Sequence, residues 1–257
     1  MKSAGVGQFI SWNGGCMLIG REGGVVPLHS HYAIQIAFGK EHGLAFRTSE
    51  KEEWRAYAGA LVPSRQPHSM NATGVSANAV MFVEPETREG RVINELYLSQ
   101  GIAEMPAGAL PRAQDVFAAW QSADQSALVA ASMRLIRALT GEVEPRVASD
   151  ERILRAIAYI GEHLDGKLTL EEVAAQAFLS PSRFRHLFVE ETGLGLRPYI
   201  LWRRFLKVWE LAMAGESISS AAHAAGFADA AHLTRTCRRM FGVAPSALRV
   251  GPADQSR

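Results

Sequence analysis

Leu170-Glu-Glu-Val-Ala174, followed by Phe178-Leu-Ser-Pro181 and Phe184-Arg-His-Leu-Phe188 and closed by Gly193, is a stretch that the chain repeats. The second copy reads Ile218-Ser-Ser-Ala-Ala222, Ala225-Gly-Phe227 and Leu233-Thr-Arg-Thr-Cys237, closed by Gly242. Leu170 and Ile218 stand 48 residues apart, whereas Phe184 and Leu233, like Gly193 and Gly242, stand 49 apart. An offset kept across so many apolar positions marks a repeated supersecondary unit. The one added residue falls between the paired helices, where a turn absorbs it.

Each copy has the chemistry of a helix-turn-helix. Thr169 caps a helix whose first turn carries Glu171 and Glu172, carboxylates that favour the positive end of the dipole. Leu170, Val173, Ala174 and Ala177 share a face on which the alanines admit a second helix closely. Ser180-Pro181 reads as a cap followed by proline at the first helical position. Phe184, Leu187 and Phe188 then point inward, leaving Ser182, Arg183, Arg185 and His186 outside. In the second copy Asp229 caps, Leu233 and Cys237 face inward, and Ala231, Thr234 and Arg235 face out. Between the copies, Pro198 to Ala214 forms a helical rod with Leu201, Phe205, Val208 and Ala212 as its apolar stripe and Arg203, Arg204 and Lys207 elsewhere. At 1.5 Å per residue the rod is about 25 Å long. With the width of the helices added, that spans about one DNA turn, roughly 34 Å.

This region resembles the DNA-binding domain of the AraC/XylS family of bacterial transcription regulators. The matching residues are Ala174, Ser180, Phe184, Phe188 and Gly193, then Ile218, Ala222, Gly226-Phe227, Asp229, His232-Leu233, Arg235, Gly242, Pro245 and Arg249. Cys237, Ala244 and Leu248 depart from the family's usual Phe, Thr or Ser, and Tyr. The resemblance implies that Ser182, Arg185 and His186 read bases in one major-groove segment, and Ala231, Thr234 and Arg235 in the next. Arg183 and Arg238 join them as DNA contacts. Arginine bidentate to guanine would be the strongest single contact, and Ala231 could meet a thymine methyl. The net charge of the whole chain is only +1. From Arg183 to Arg249, though, basic residues outnumber acidic ones by five, a modest footprint for phosphate.

Residues 1 to about 85 read as β structure, with short apolar segments near Met17–Ile19, Val25–Phe38, Leu44–Arg47, Trp54–Tyr57, Ala60–Pro63 and Ala77–Val83. In the longest, Leu28, Tyr32, Ile34, Ile36 and Phe38 share one parity and His29, His31, Ala33, Gln35 and Ala37 the other. The second set could floor a cavity. With Gly59-Ala-Leu-Val-Pro63 and Pro67-His-Ser-Met-Asn71, it is similar to the two motifs of cupin barrels, with Gln35 in place of the usual Glu and Arg65 where a glycine is expected. His29, His31, Gln35 and His68 are the expected effector-binding residues. His29, His31 and His68 also have spacing compatible with a divalent metal such as zinc or iron. The alternative is a hydrogen-bonding remnant that holds no metal, and none is required.

Helices follow around Val92 to Leu98, around Val116 to Trp120, and along Leu128, Ser132, Leu135 and Leu139 with Val129, Met133 and Ile136 beside them. They either pack on the barrel or form a dimerisation surface between protomers. The expected organisation is therefore α+β in two domains: a cupin-like β-barrel sensor over 1–105, a helical dimerisation region and linker over 106–148, and an all-α DNA-binding domain over 149–257, its first helix, Ile153 to Leu164, capped by Ser149 or Asp150. Cys16 and Cys237 fall in different domains, so no disulfide is expected. No signal peptide or apolar run of about 20 residues is evident, which points away from the membrane and to the bacterial cytoplasm and nucleoid. No catalytic residues are identified. The expected function is a sequence-specific regulator, an activator by resemblance, with duplex DNA, a small effector, RNA polymerase and a second copy of itself as partners. The rival is a metal-dependent cupin enzyme fused to a DNA-binding module.

Overall fold

A computed structural model describes residues 7–12, 14–21, 23–85, 87–141, 150–192, 195–241 and 244–245. The chain splits into two compact units, Met1–Pro145 grouped with Cys237–Arg257, and Arg146–Thr236. The expected boundary at 148/149, with Ser149, lies outside the described residues, as do Gly193, Gly242, Leu248 and Arg249.

Among the described residues of the first unit, ten strands form two open antiparallel sheets. The larger has the order β1 (Gln8–Trp12), β2 (Gly15–Arg21), β9 (Ala77–Val83), β4 (Ile34–Gly39), β7 (Gly59–Val62) and β10 (Ala103–Glu104). The smaller runs β3 (Val25–His29), β8 (His68–Asn71), β5 (Leu44–Arg47) and β6 (Arg55–Tyr57). Among the described residues the strand ladders do not close, so the expected barrel is here a pair of sheets with free edges. The expected single strand Val25–Phe38 is likewise two strands. It bends over residues 30–33 and passes from the edge of one sheet to the middle of the other. Pro27 marks the first part as an edge, because proline has no N–H to give a second neighbour. Every residue of β4, by contrast, is buried.

The parity of β4 sets the layering. Ile34, Ile36 and Phe38 pack beneath a helical layer of α1 (Arg88–Tyr97), α2 (Leu110–Gln121) and α3 (Gln125–Thr140), with Phe38 and Phe117 edge to face at 5.5 Å. Ala37 faces the smaller sheet and packs with Leu44, Phe46, Tyr57 and Met70. The room expected beside Ala37 is thus filled by core. Leu128, Leu135, Ile136 and Leu139 are all buried in the helix–sheet core, leaving Val129 half-buried. The apolar surplus that suggested a dimer surface is consumed within the chain, and α2 and α3 are part of the first unit's core.

The second unit is helical. α4 (Glu151–Glu162) begins at Asp150, whose carboxylate accepts from the Arg152 N–H at 3.0 Å. α5 (Leu170–Gln176) opens with a capping box: the Thr169 hydroxyl accepts from the Glu172 N–H at 3.2 Å, and the Glu172 carboxylate accepts from the Thr169 N–H at 2.9 Å. α6 (Pro181–Thr192), α7 (Leu196–Met213), α8 (Ile218–Ala224) and α9 (Ala230–Phe241) complete the two helix-turn-helix copies and the helix between them. α7, at 18 residues, is about 27 Å long. It is more than a one-sided rod. Tyr199, Trp202, Phe205, Val208 and Trp209 are all at most 3 % exposed, which makes α7 a core helix of the unit.

Candidate functional site

Both helix-turn-helix turns are built by the same hydrogen bonds. After α5, Phe178 N–H donates to Ala175 O at 3.0 Å and Leu179 N–H to Ala174 O at 3.1 Å. After α8, Gly226 N–H donates to His223 O and Phe227 N–H to Ala222 O, each at 2.9 Å. This is the paired 5→2 and 6→1 closure of a Schellman motif, which needs a left-handed residue just past the helix. Phe178 (φ 54°) and Gly226 (φ 76°) supply it. The second turn is one residue longer before α9 begins, as the change of offset implied.

The second helix of each copy starts on a capped N-terminus. Ser180 Oγ accepts from the Arg183 N–H at 3.4 Å, and Asp229 Oδ1 from the His232 N–H at 2.5 Å. Phe184 and Phe188 anchor α6, and Leu233 and Cys237 anchor α9, all buried. Burial pushes the Cys237 thiol up to about 12, so it serves as an apolar filler. Cys16 and Cys237 are both buried. The outward residues are where the sequence puts them: Ser182, Arg183, Arg185, His186, Ala231, Arg235 and Arg238 are exposed, and Thr234 is half-exposed. Thr234 spends its hydroxyl hydrogen on Ala230 O at 2.8 Å. What it offers a base edge is therefore a lone pair and a methyl group.

Arg204 departs from expectation. Its Nε donates to Leu164 O at 2.9 Å and its Nη2 to Gly166 O at 2.6 Å, so it is tied inside the unit and is not a free basic group. Lys207 is exposed and Arg203 half-buried.

In the first unit the four expected polar residues do meet, by a route the parity pattern did not contain. His29 on β3 pairs across the smaller sheet with His68 on β8. His31 lies in the crossing between sheets, and Gln35 is on β4 of the larger one. The Arg65 N–H donates to His31 O at 2.7 Å from a left-handed turn (φ 63°), the conformation glycine adopts freely. The ring centroids are 4.4 Å apart for His29 and His68, 5.0 Å for His31 and His68, and 5.7 Å for His29 and His31. One ligand atom from each of the three lies within 4.8 Å of the others.

Each Nδ1 lies 2.8 Å from a backbone carbonyl: His29 from Pro27 O, His31 from Ala33 O, His68 from Gln66 O. A neutral ring that donates there keeps its lone pair on Nε2. His31 Nε2 lies 2.8 Å and His68 Nε2 3.3 Å from Oε1 of the Gln35 amide, whose NH₂ points to Met70 Sδ. A half-turn of that amide offers these lone pairs either its NH₂ or its oxygen. The first completes a hydrogen-bonded network; the second leaves lone pairs that a cation would satisfy. A Glu carboxylate has no such NH₂. Phe46, Phe82 and Met70 close around the rings. Burial, with the neighbouring imidazoles, lowers His31 to about 4 and His68 to about 2. His29 is also lowered by burial. The rings thus stay neutral at physiological pH, the form a metal ligand needs.

Residues 173–250 match the family model described as "Helix-turn-helix domain". The regulatory protein PocR of Salmonella typhimurium LT2 is 33 % identical over 101 residues, 39 % of this chain and 33 % of PocR. The arabinose operon regulatory protein of Escherichia coli K12 is 28 % identical over 124 residues, 46 % of this chain and 41 % of that protein. The matched part therefore spans less than half the length of either relative. Across nearly the whole chain the fold is similar to apo ToxT K231A of Vibrio cholerae, with a TM-score of 0.60 at 11 % identity over 90 % of this chain and 95 % of that one. Another ToxT structure is described as bound to unsaturated fatty acid. Among the described residues no helix is long and apolar enough to cross a membrane. The chain thus has a two-domain α+β fold similar to that of ToxT, and its residues 173–250 match a helix-turn-helix domain shared with PocR and the arabinose operon regulatory protein.

Proposed function

We propose that this protein is a sequence-specific transcription regulator, acting as an activator at promoter DNA in the bacterial cytoplasm, in concert with RNA polymerase. The observation that carries it is the pair of capped, Schellman-closed helix-turn-helix copies whose α6 and α9 turn Arg185, His186, Thr234 and Arg235 outward. Selection of random duplexes by the full chain should enrich one sequence with two short elements about one helical turn apart. Recovery of no preferred sequence would overturn the proposal. A second copy would meet the half-exposed side of α3 at Val129 and Ala130, bringing two such sites together.

The first unit is proposed as the sensor, a cupin-like fold whose effector acts at His29, His31, Gln35 and His68. ToxT, with the same overall fold, is described with a bound fatty acid, which supports a ligand in this class of unit. The His29, His31 and His68 donors fit a divalent zinc or iron ion, with Gln35 turning its oxygen toward it. Such an ion would supply positive charge to a buried set of lone pairs. Titration of metal-free protein with Zn²⁺ is expected to show one ion per chain, lost in His31→Ala and in His68→Ala, with a change in affinity for the selected duplex. If wild type binds no ion, the cluster is the hydrogen-bonded alternative. An ion bound without effect on DNA affinity, with turnover of a substrate, would favour the enzyme reading.

A further inference from the structure

We infer that Arg204 is a positioning residue that holds the two helix-turn-helix copies at a fixed separation, and so sets the operator spacing the protein accepts; this rests on the DNA-binding reading of both copies. Three parts of the second unit meet at its guanidinium. It projects from α7, the helix between the copies. It donates to Leu164 O and Gly166 O in the connection from α4 into α5, the start of the first copy. It also packs under the turn of the second copy: a Cβ added to Gly226 would overlap Leu164 O and lie 3.0 Å from both Nε and Cζ of Arg204.

The two carbonyls lie just past the C-terminus of α4, where the helix dipole is negative and a cation is favourable. A planar guanidinium reaches both from one side chain, which an ammonium on a flexible stem does not reproduce. Leu164 O is the shared point, accepting from Arg204 and abutting Gly226. Shifting either copy relative to α7 breaks this contact first. The cleft beside it has a volume of about 570 Å³ and is lined by Asp165, Lys167, Arg197 and His232 among others.

The test compares full-length wild type, Arg204→Lys and Arg204→Met on the selected duplex and on versions with one base pair inserted or deleted between its two elements. Two tethered contacts gain from each other only when geometry allows both at once, so wild type should bind the altered duplexes on the order of tenfold more weakly than the native one. Both variants should discriminate by about twofold or less, because loosened arms reach altered spacings. The dependence of binding on salt should be unchanged, whereas loss of a phosphate contact would lower its slope by about 0.9. If Arg204→Met does not fold, Arg204→Lys decides the matter. Wild-type spacing discrimination in Arg204→Lys, or a reduced salt slope, would overturn the inference. Failure of wild type to bind any duplex specifically would instead overturn the DNA-binding reading itself.

Discussion

Gly226→Ala is expected to destabilise the helical unit by about 2–5 kcal/mol. A residue with a Cβ pays roughly 1–2 kcal/mol for the left-handed conformation. Overpacking adds about 1–3 kcal/mol, because the new methyl would overlap Leu164 O and press on Arg204. The first copy supplies the control. Phe178 holds the same left-handed position at φ 54° with its side chain 82 % exposed, so space there is free. Phe178→Gly should shift stability by only about 1 kcal/mol in either direction, relief of backbone strain opposing the entropy of glycine and the loss of the Arg155 guanidinium at 5.4 Å from the ring. Thermal unfolding followed by helical circular dichroism measures both. A loss below about 1 kcal/mol for Gly226→Ala would show that the second turn is not held against α4 as described.

Metal-free protein should lose stability on acidification before its carboxylates titrate. The folded values of His31 and His68, about 4 and about 2, lie below the ordinary 6.5, so the unfolded chain takes up protons first. Stability is therefore complete above pH 6.5 and falls as the pH drops toward 4. At 1.36 kcal/mol per unit, each ring contributes a loss on the order of 3 kcal/mol by pH 4. Urea unfolding at a series of pH values, with His31→Gln/His68→Gln as reference, checks this. The reference should be nearly flat between pH 6.5 and 5. Wild type with an equally flat profile would mean that the rings are protonated or solvated in the folded state.

The helix-turn-helix unit was legible because its signals are local. Thr169, Ser180-Pro181 and Asp229 are caps, and the offset of 48 then 49 locates the longer turn. Arg204 was not legible: a basic residue on an amphipathic helix reads as surface until the carbonyls it reaches, 40 and 38 residues back, are seen. The tryptophans of α7 were missed for a related reason, since a single stripe was assigned to a helix covered on several sides. In the first unit the alternation around Gln35 gave the two faces of β4 correctly. The bend at residues 30–33 hid the change of sheet, and Pro27 was the overlooked sign of an edge. Leu128, Leu135, Ile136 and Leu139 show the limit of periodicity. It tells that a face is apolar, and only the fold tells whether a sheet or a second protein covers it.

The central claim is that α6 and α9 read two adjacent segments of one duplex face. It is tested most directly by base-by-base preference profiles of the full-length wild type, Arg185→Ala and Arg235→Ala on the selected duplex. Each substitution should weaken binding by about 1–3 kcal/mol and flatten preference at its own position, the two positions lying about one helical turn apart. Flattening of the same base pairs by both substitutions would contradict the account.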